Sequence, residues 1–369
     1  MTTHRLALLL AVATLAAATP LAAAEDKKSW TGESVMHTNR PTEIRFGDQV
    51  DGKQIWVVLN DQLPITVRKD RDGRLRIHDG RNEGWVDKYN FILVDDAPAY
   101  FSRYVQADPK DTWALGMRGS AWLLKGDYDN AIKDFDECIR LDPTNAGGFN
   151  ERGNAYFAKK DYDRAINDYG EAIRLDPKDA TGFAGRGSAY SDKRDYDRAI
   201  KDFDEAIRLD HKDPRAHFDR SIAQIATRRP GAVQGFQAVL DLEGYKGESA
   251  TFAVILGHLA AEQAGDDAAA KRFLADSAGK LDAAWPEPAV RFLRGDLDEP
   301  GLLKLATDDD KRTEARCILG LHHANHGRPA EALAHYRWVK QHGTPTSAEY
   351  DIAVAELDRL DAAAKPAKP

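Results

Sequence analysis

The stretch KGDYDNAIKDFDECIRLDPTNA, residues 125–146, decides how this chain is read. It returns as KKDYDRAINDYGEAIRLDPKDA from Lys159 and as KRDYDRAIKDFDEAIRLDHKDP from Lys193, a period of 34 residues. A fixed period of this size marks stacked supersecondary units that cannot bury their apolar faces alone. Gly119, Gly153 and Gly187 fall in register, as do Ala131, Ala165 and Ala199, and Phe135, Tyr169 and Phe203. Within one copy, Ala131, Ile132, Phe135, Cys138 and Ile139 form the apolar stripe of an amphipathic helix. Asp142-Pro143 and Asp176-Pro177 close the first two copies, because proline cannot continue the helix; the third copy reads Asp210-His211 there.

This pattern resembles the tetratricopeptide repeat (TPR), with Trp122, Tyr156 and Tyr190 at the aromatic position of its first helix. The resemblance implies a mainly α fold, an α-solenoid of helical hairpins, with helix A of each hairpin lining an inner groove. The register continues beyond the clean copies. Ala97, Phe101 and Asp108-Pro109 sit one period upstream, so residues 95–108 read as a lone capping helix. Ser221 takes the glycine position of a decayed copy. Gly257, Ala269 and Phe273, then Gly320, Ala332 and Tyr336, mark two further hairpins, and a closing helix is expected near 347–361. The expected organisation is a TPR solenoid over 95–247, degenerate TPR-like hairpins over 248–361 and a disordered tail at 362–369.

Residues that vary between copies are the better ligand candidates, since shared ones serve the repeat interfaces. On helix A these are Trp113, Ser120, Leu123, Asn150, Asn154, Phe157, Ser188 and Ser191, suited to a protein or peptide partner. Some TPR proteins clamp a peptide's C-terminal carboxylate with Lys, Asn and Arg. The corresponding places here hold Gly116, Ser120, Glu151, Thr181 and Gly185, which argues against that clamp. Arg118, Arg152, Arg186 and Arg220 repeat in step with Asp134, Asp168 and Asp202, and are expected to form an ion-pair ladder between neighbouring hairpins.

The first 94 residues have another texture. MTTHRLALLLAVATLAAATPLAAAED has the layout of a secretory signal peptide, with cleavage expected near Ala24. No cysteine follows it to carry a lipid. Export, to the periplasm or beyond, is the expectation, with no transmembrane segment in the mature chain. Over 25–94, short β-prone runs alternate with turns, and Asp72-Gly73 reads as a hairpin tip. EGWV at 83–86 followed by FILV resembles the end of a bacterial SH3-like β-barrel. In exported proteins that resemblance implies binding of cell-wall peptides or proteins. Trp56 and Trp85 read as core, and Tyr89 as a candidate cleft residue.

The net charge of −8 argues against nucleic acid, which needs a basic face. No phosphate-binding glycine loop, GxSxG or HExxH is present, so neither an enzyme nor a cofactor is expected. Cys138 and Cys317 lie on apolar stripes and read as buried free thiols. The one histidine cluster is LHHANHG, where His322 and His326 share a helix face, with Glu314 or Glu331 as possible third ligands; His323 reads as packed. No metal is the first expectation, and a metal-dependent enzyme on His322 and His326 the least favoured alternative. Residues 250–360 resemble periplasmic TPR lipoproteins that act as adaptors for cell-wall hydrolases, apart from the missing lipidated cysteine. The expected function is a noncatalytic envelope scaffold. A cell-wall module using the SH3-like barrel, with the repeats as spacer, is the alternative.

Overall fold

The computed structural model describes residues 94–345 and 347–362 with their side chains, and the backbone of residue 363 and of seven strands between 34 and 93. The leader at 1–24, Tyr89 and the tail from 364 lie outside the described residues. The chain divides into two compact units, Met1–Lys159 and Lys160–Pro369.

In the first unit the strands are β1 (Ser34–His37), β2 (Arg45–Val50), β3 (Lys53–Val58), β4 (Ile65–Arg71), β5 (Arg74–His78), β6 (Glu83–Asp87) and β7 (Phe91–Leu93). Five of them pair in the order β6-β5-β4-β1-β7, and β2 pairs with β3. Arg71 stands opposite Arg74, the register that a two-residue connection imposes, although residues 72 and 73 lie outside the described residues. Trp56 falls in β3 and Trp85 in β6, and their side chains are also outside the described residues, as is most of what an SH3-like reading of 25–94 rests on.

Helices follow: α1 (Ala97–Ala107), α2 (Thr112–Leu124), α3 (Tyr128–Leu141) and α4 (Ala146–Ala158). Helix α1 is the expected cap, with Ala97 and Phe101 fully buried against Ala121 and Trp113. Asp127 starts α3 by accepting from the Asn130 amide, which satisfies one of the free amides of the first turn. Gly119 is required by contact, since a Cβ there would lie 2.7 Å from the Phe135 ring.

The second unit contains α5 (Tyr162–Leu175), α6 (Ala180–Asp192), α7 (Tyr196–Leu209), α8 (Pro214–Ala226), α9 (Ala232–Glu243), α10 (Gly247–Gln263) and α11 (Asp267–Asp276). Two short helices, α12 (Glu287–Arg294) and α13 (Glu299–Leu305), lead to α14 (Asp309–Asn325), α15 (Pro329–His342) and α16 (Ala348–Ala363). The glycine-to-aromatic contact recurs at the same sequence spacing. Gly187 meets Phe203, Gly257 meets Phe273 and Gly320 meets Tyr336. The decayed copy differs: Ser221 donates to the His217 carbonyl at 2.8 Å, and Gly235 on the facing helix supplies the missing room. One continuous core, including Phe236, Ile255, Leu256, Cys317, Tyr336 and Leu357, joins α8 to α16. No helix among the described residues is long and apolar enough to cross a membrane.

The charged ladder differs from the expected pattern. Arg118 pairs with Asp134 (2.6 and 2.8 Å) and Arg186 with Asp202 (2.8 Å), each inside its own hairpin. Arg152 and Arg220 reach back to Asp136 (2.7 Å) and Asp204 (2.8 Å) on the preceding helix. These two contacts bridge neighbouring hairpins, while the first two satisfy the buried Asp134 and Asp202 within one hairpin. The thiols are both free. Cys317 is buried as expected, while Cys138 is half-buried with its thiol on the Thr112 carbonyl, and burial pushes its pKa up to about 12.

Candidate functional site

The turns between paired helices repeat one backbone conformation. Gly126 has φ 78°, and the residues one, two and three periods later are Lys160 (63°), Arg194 (59°) and Arg228 (52°). A side chain in this left-handed region costs about 1 kcal/mol. In the second unit two of these residues hold the closing helix. Arg194 pairs with Asp351 of α16 at 3.1 Å, and Arg228 grips Glu356 with two bonds of 2.9 Å. Glu356 is fully buried and also receives Arg359. Burial pushes its carboxyl up, and the two guanidiniums more than offset this, so it sits below the usual range.

The candidate groove residues sort by unit. In the first, Trp113 stands edge-on to Phe101 (5.6 Å) and Tyr104 (6.2 Å) of the capping helix. Leu123 packs with Ala131 and Phe135. Ser120 donates to the Gly116 carbonyl of its own helix at 3.0 Å. Asn150 is buried, Phe157 is half-buried, and Asn154 is exposed and bonded to Glu151, whose carboxyl is raised by burial. In the second unit Ser188 donates to the Ala184 carbonyl at 3.1 Å, and Ser191 is half-buried nearby on α6.

A group of acids in the second unit did not stand out in the sequence. Asp192 is raised by burial and takes a hydrogen bond from Tyr162. Asp219 and Asp351 are both pushed up to about 6, chiefly by burial, with Asp192 adding to each. Burial likewise pushes Tyr162 and Tyr196 up to about 12. These carboxylates and phenols come from α5 to α8 and from α16, so only the fold brings them together.

Two histidine–glutamate clusters lie in the same unit. In one, Glu299 receives His323 at 3.0 Å and His335 at 3.2 Å, and the two rings stack with centroids 5.4 Å apart. Arg316 faces the other nitrogen of His335 at 3.4 Å. A guanidinium only donates, so that Nδ1 accepts and Nε2–H is left to donate to Glu299. Burial holds His335 down at about 4, in keeping with a neutral ring. This cluster is a hydrogen-bonded clasp, and the buried His323 belongs to it. In the other, His322 and His326 meet Glu262. Glu314 and Glu331, the expected third ligands, are elsewhere: Glu314 accepts from the Trp285 indole, and Glu331 is exposed.

Stacked helical hairpins of this kind define the α-solenoid class. Residues 119–160 and 153–193 match the family model described as TPR repeat, and residues 184–232 match one described as Tetratricopeptide repeat. The chain thus carries TPR repeats, and its described helices are a TPR solenoid. It is similar in part to solved structures. The crystal structure of MamA is 25% identical, covering 41% of this chain and 88% of that one, with a TM-score of 0.38. YrrB, "a TPR protein with an unusual peptide-binding site", is 17% identical over 55% of this chain and 100% of its own, with a TM-score of 0.42. A thermophilic TPR protein of Thermus thermophilus is 20% identical over 41% of this chain and 83% of its own, with a TM-score of 0.37. No curated protein matches the sequence.

Proposed function

We propose that this chain is a noncatalytic scaffold that holds protein or peptide partners on the varying faces of its TPR helices, in the cell envelope after export. One observation carries the reading. The residues the copies share are buried: Ala121, Ala155 and Ala189 are 0% exposed, and Phe135, Tyr169 and Phe203 at most 2%. Among the positions where the copies differ, Ser120, Asn154, Phe157, Ser188 and Ser191 all retain solvent exposure. A repeat that spends its constant residues on the stack keeps its variable ones for recognition. The acids Asp192, Asp219 and Asp351 favour a basic segment in the partner, whose cations would relieve carboxylates that burial disfavours. Export rests on the leader-like first residues.

A photocrosslinking residue at Ser188 is expected to capture a small set of envelope proteins. The same residue at Lys201, exposed on α7, is expected to capture none of them. Equal capture from both positions would sink the proposal. A second reading, a cell-wall module in the first unit, draws on the paired strands of residues 34–93. It predicts that binding to purified sacculi, and not capture at Ser188, is the chain's main interaction.

A further inference from the structure

We infer that Glu262, His322 and His326 form a binding site for a zinc-class divalent ion, clasping α10 to the end of α14. The three residues each bring a ligand atom within 4.8 Å of the others. Tautomers decide between this cluster and the one around Glu299. His326 Nδ1 faces the backbone carbonyl of His322 at 2.8 Å, and a carbonyl only accepts, so Nδ1 carries the proton. The neutral ring then turns a bare Nε2 toward Glu262 Oε1, 3.7 Å away. His258, one turn before Glu262, repeats the arrangement: its Nδ1–H donates to the Ala270 carbonyl at 2.9 Å, and its Nε2 faces the same oxygen at 3.3 Å. Lone pairs turned on a carboxylate oxygen repel unless something positive lies between them. His258 closes on Glu262 at 3.3 Å and ties it in place, while His326 stands off at 3.7 Å. The space between Glu262 and His326 is left for a cation.

The dimensions suit one. Ligand atoms about 2.0–2.1 Å from a tetrahedral zinc ion stand about 3.3 Å apart; His326 Nε2 and Glu262 Oε1 are 3.7 Å apart, and the ligand atom of His322 lies within 4.8 Å of both. An imidazole fixed through Nδ1–H on a carbonyl, with Nε2 to the metal, is the usual outer-shell device for orienting such a ligand. His322 adds the third group: its ring lies 4.2 Å from that of His326, and its Nδ1 is buried with no hydrogen-bond partner. Asn325 donates to the Leu259 carbonyl at 2.9 Å and to Glu262 at 3.4 Å, so the same junction is already held by polar contacts. Two nitrogens and one carboxylate oxygen are donors that zinc accepts, and the exposed side of His326 leaves room for a water. The ion would stiffen the solenoid, which makes this inference independent of the partner reading.

The test is zinc titration of the full chain by calorimetry, with thermal melts beside it. The wild type is expected to take up about one zinc per chain and to melt higher with it. Glu262→Gln and His326→Ala are each expected to weaken binding tenfold or more and to lose the zinc-dependent rise. His326 is half-exposed, so its variant keeps the fold, which circular dichroism checks. Glu299→Gln is expected to bind as the wild type does. No stoichiometric uptake by the wild type, binding unchanged in both variants, or binding lost in Glu299→Gln alone would each overturn the site.

Discussion

Phe203→Ala lowers the unfolding free energy by about 3–5 kcal/mol, the largest single effect expected in the clean repeats. The ring is 1% exposed and fills the hairpin of α6 and α7. Gly187→Ala fails from the other side: its Cβ would sit 2.9 Å from the ring, and overpacking of this kind costs about 1–3 kcal/mol. The two changes should not add. With the ring gone, the Cβ enters the space it left, so the double variant is expected to cost about 1–2 kcal/mol less than the sum. Urea unfolding of the four chains measures this coupling, and hydrogen exchange in α6 and α7 shows whether the loss is local, as nearest-neighbour stability implies. Strict additivity would mean that the glycine and the aromatic are not one contact.

Arg228→Ala is expected to cost about 2–3 kcal/mol, below the usual loss for a broken buried pair because Arg359 still reaches Glu356. Arg228→Gly removes the same ion pair and also the left-handed strain at φ 52°, so it should be milder by about 1 kcal/mol. Acidity gives a further check. The folded Glu356 pKa lies below its ordinary 4.5. The stability contributed by its partners is therefore present above that value and lost as pH falls below it. The gap between wild type and Arg228→Ala should be full at pH 7 and shrink in acid. Thermal melts across that range measure it. If glycine proves as damaging as alanine, the turn is not strained.

Much of the fold was legible because its constraints are local. Gly257 with Phe273 and Gly320 with Tyr336 keep the spacing of the clean repeats, and Ala269 and Ala332 keep their register between them. The periodic apolar stripe and the closing proline marked the helices for the same reason. What escaped is long-range. Arg228 and Glu356 are 128 residues apart, and nothing near either announces the other. The left-handed turn was disguised because, of the four copies at the 34-residue period, only the first writes it as glycine, at Gly126, and the next three as Lys160, Arg194 and Arg228. In the histidine cluster His322 and His326 were visible by their one-turn spacing. Glu262 was not, since it reaches them from a helix some 60 residues earlier, and nearer acids in the sequence drew attention instead. The ion-pair ladder was visible as a repeat, but its direction depends on which aspartate each arginine reaches in space.

The measurement closest to the central claim compares stability and capture in one variant. Asn154, Ser188 and Ser191 are replaced together by alanine, and the chain is crosslinked in envelope extract beside the wild type. These side chains lie outside the buried stack, so unfolding free energy should change by about 1 kcal/mol or less. The account predicts a stable solenoid that no longer enriches the wild type's partners. An equally stable variant that enriches the same partners at the same yield would contradict it.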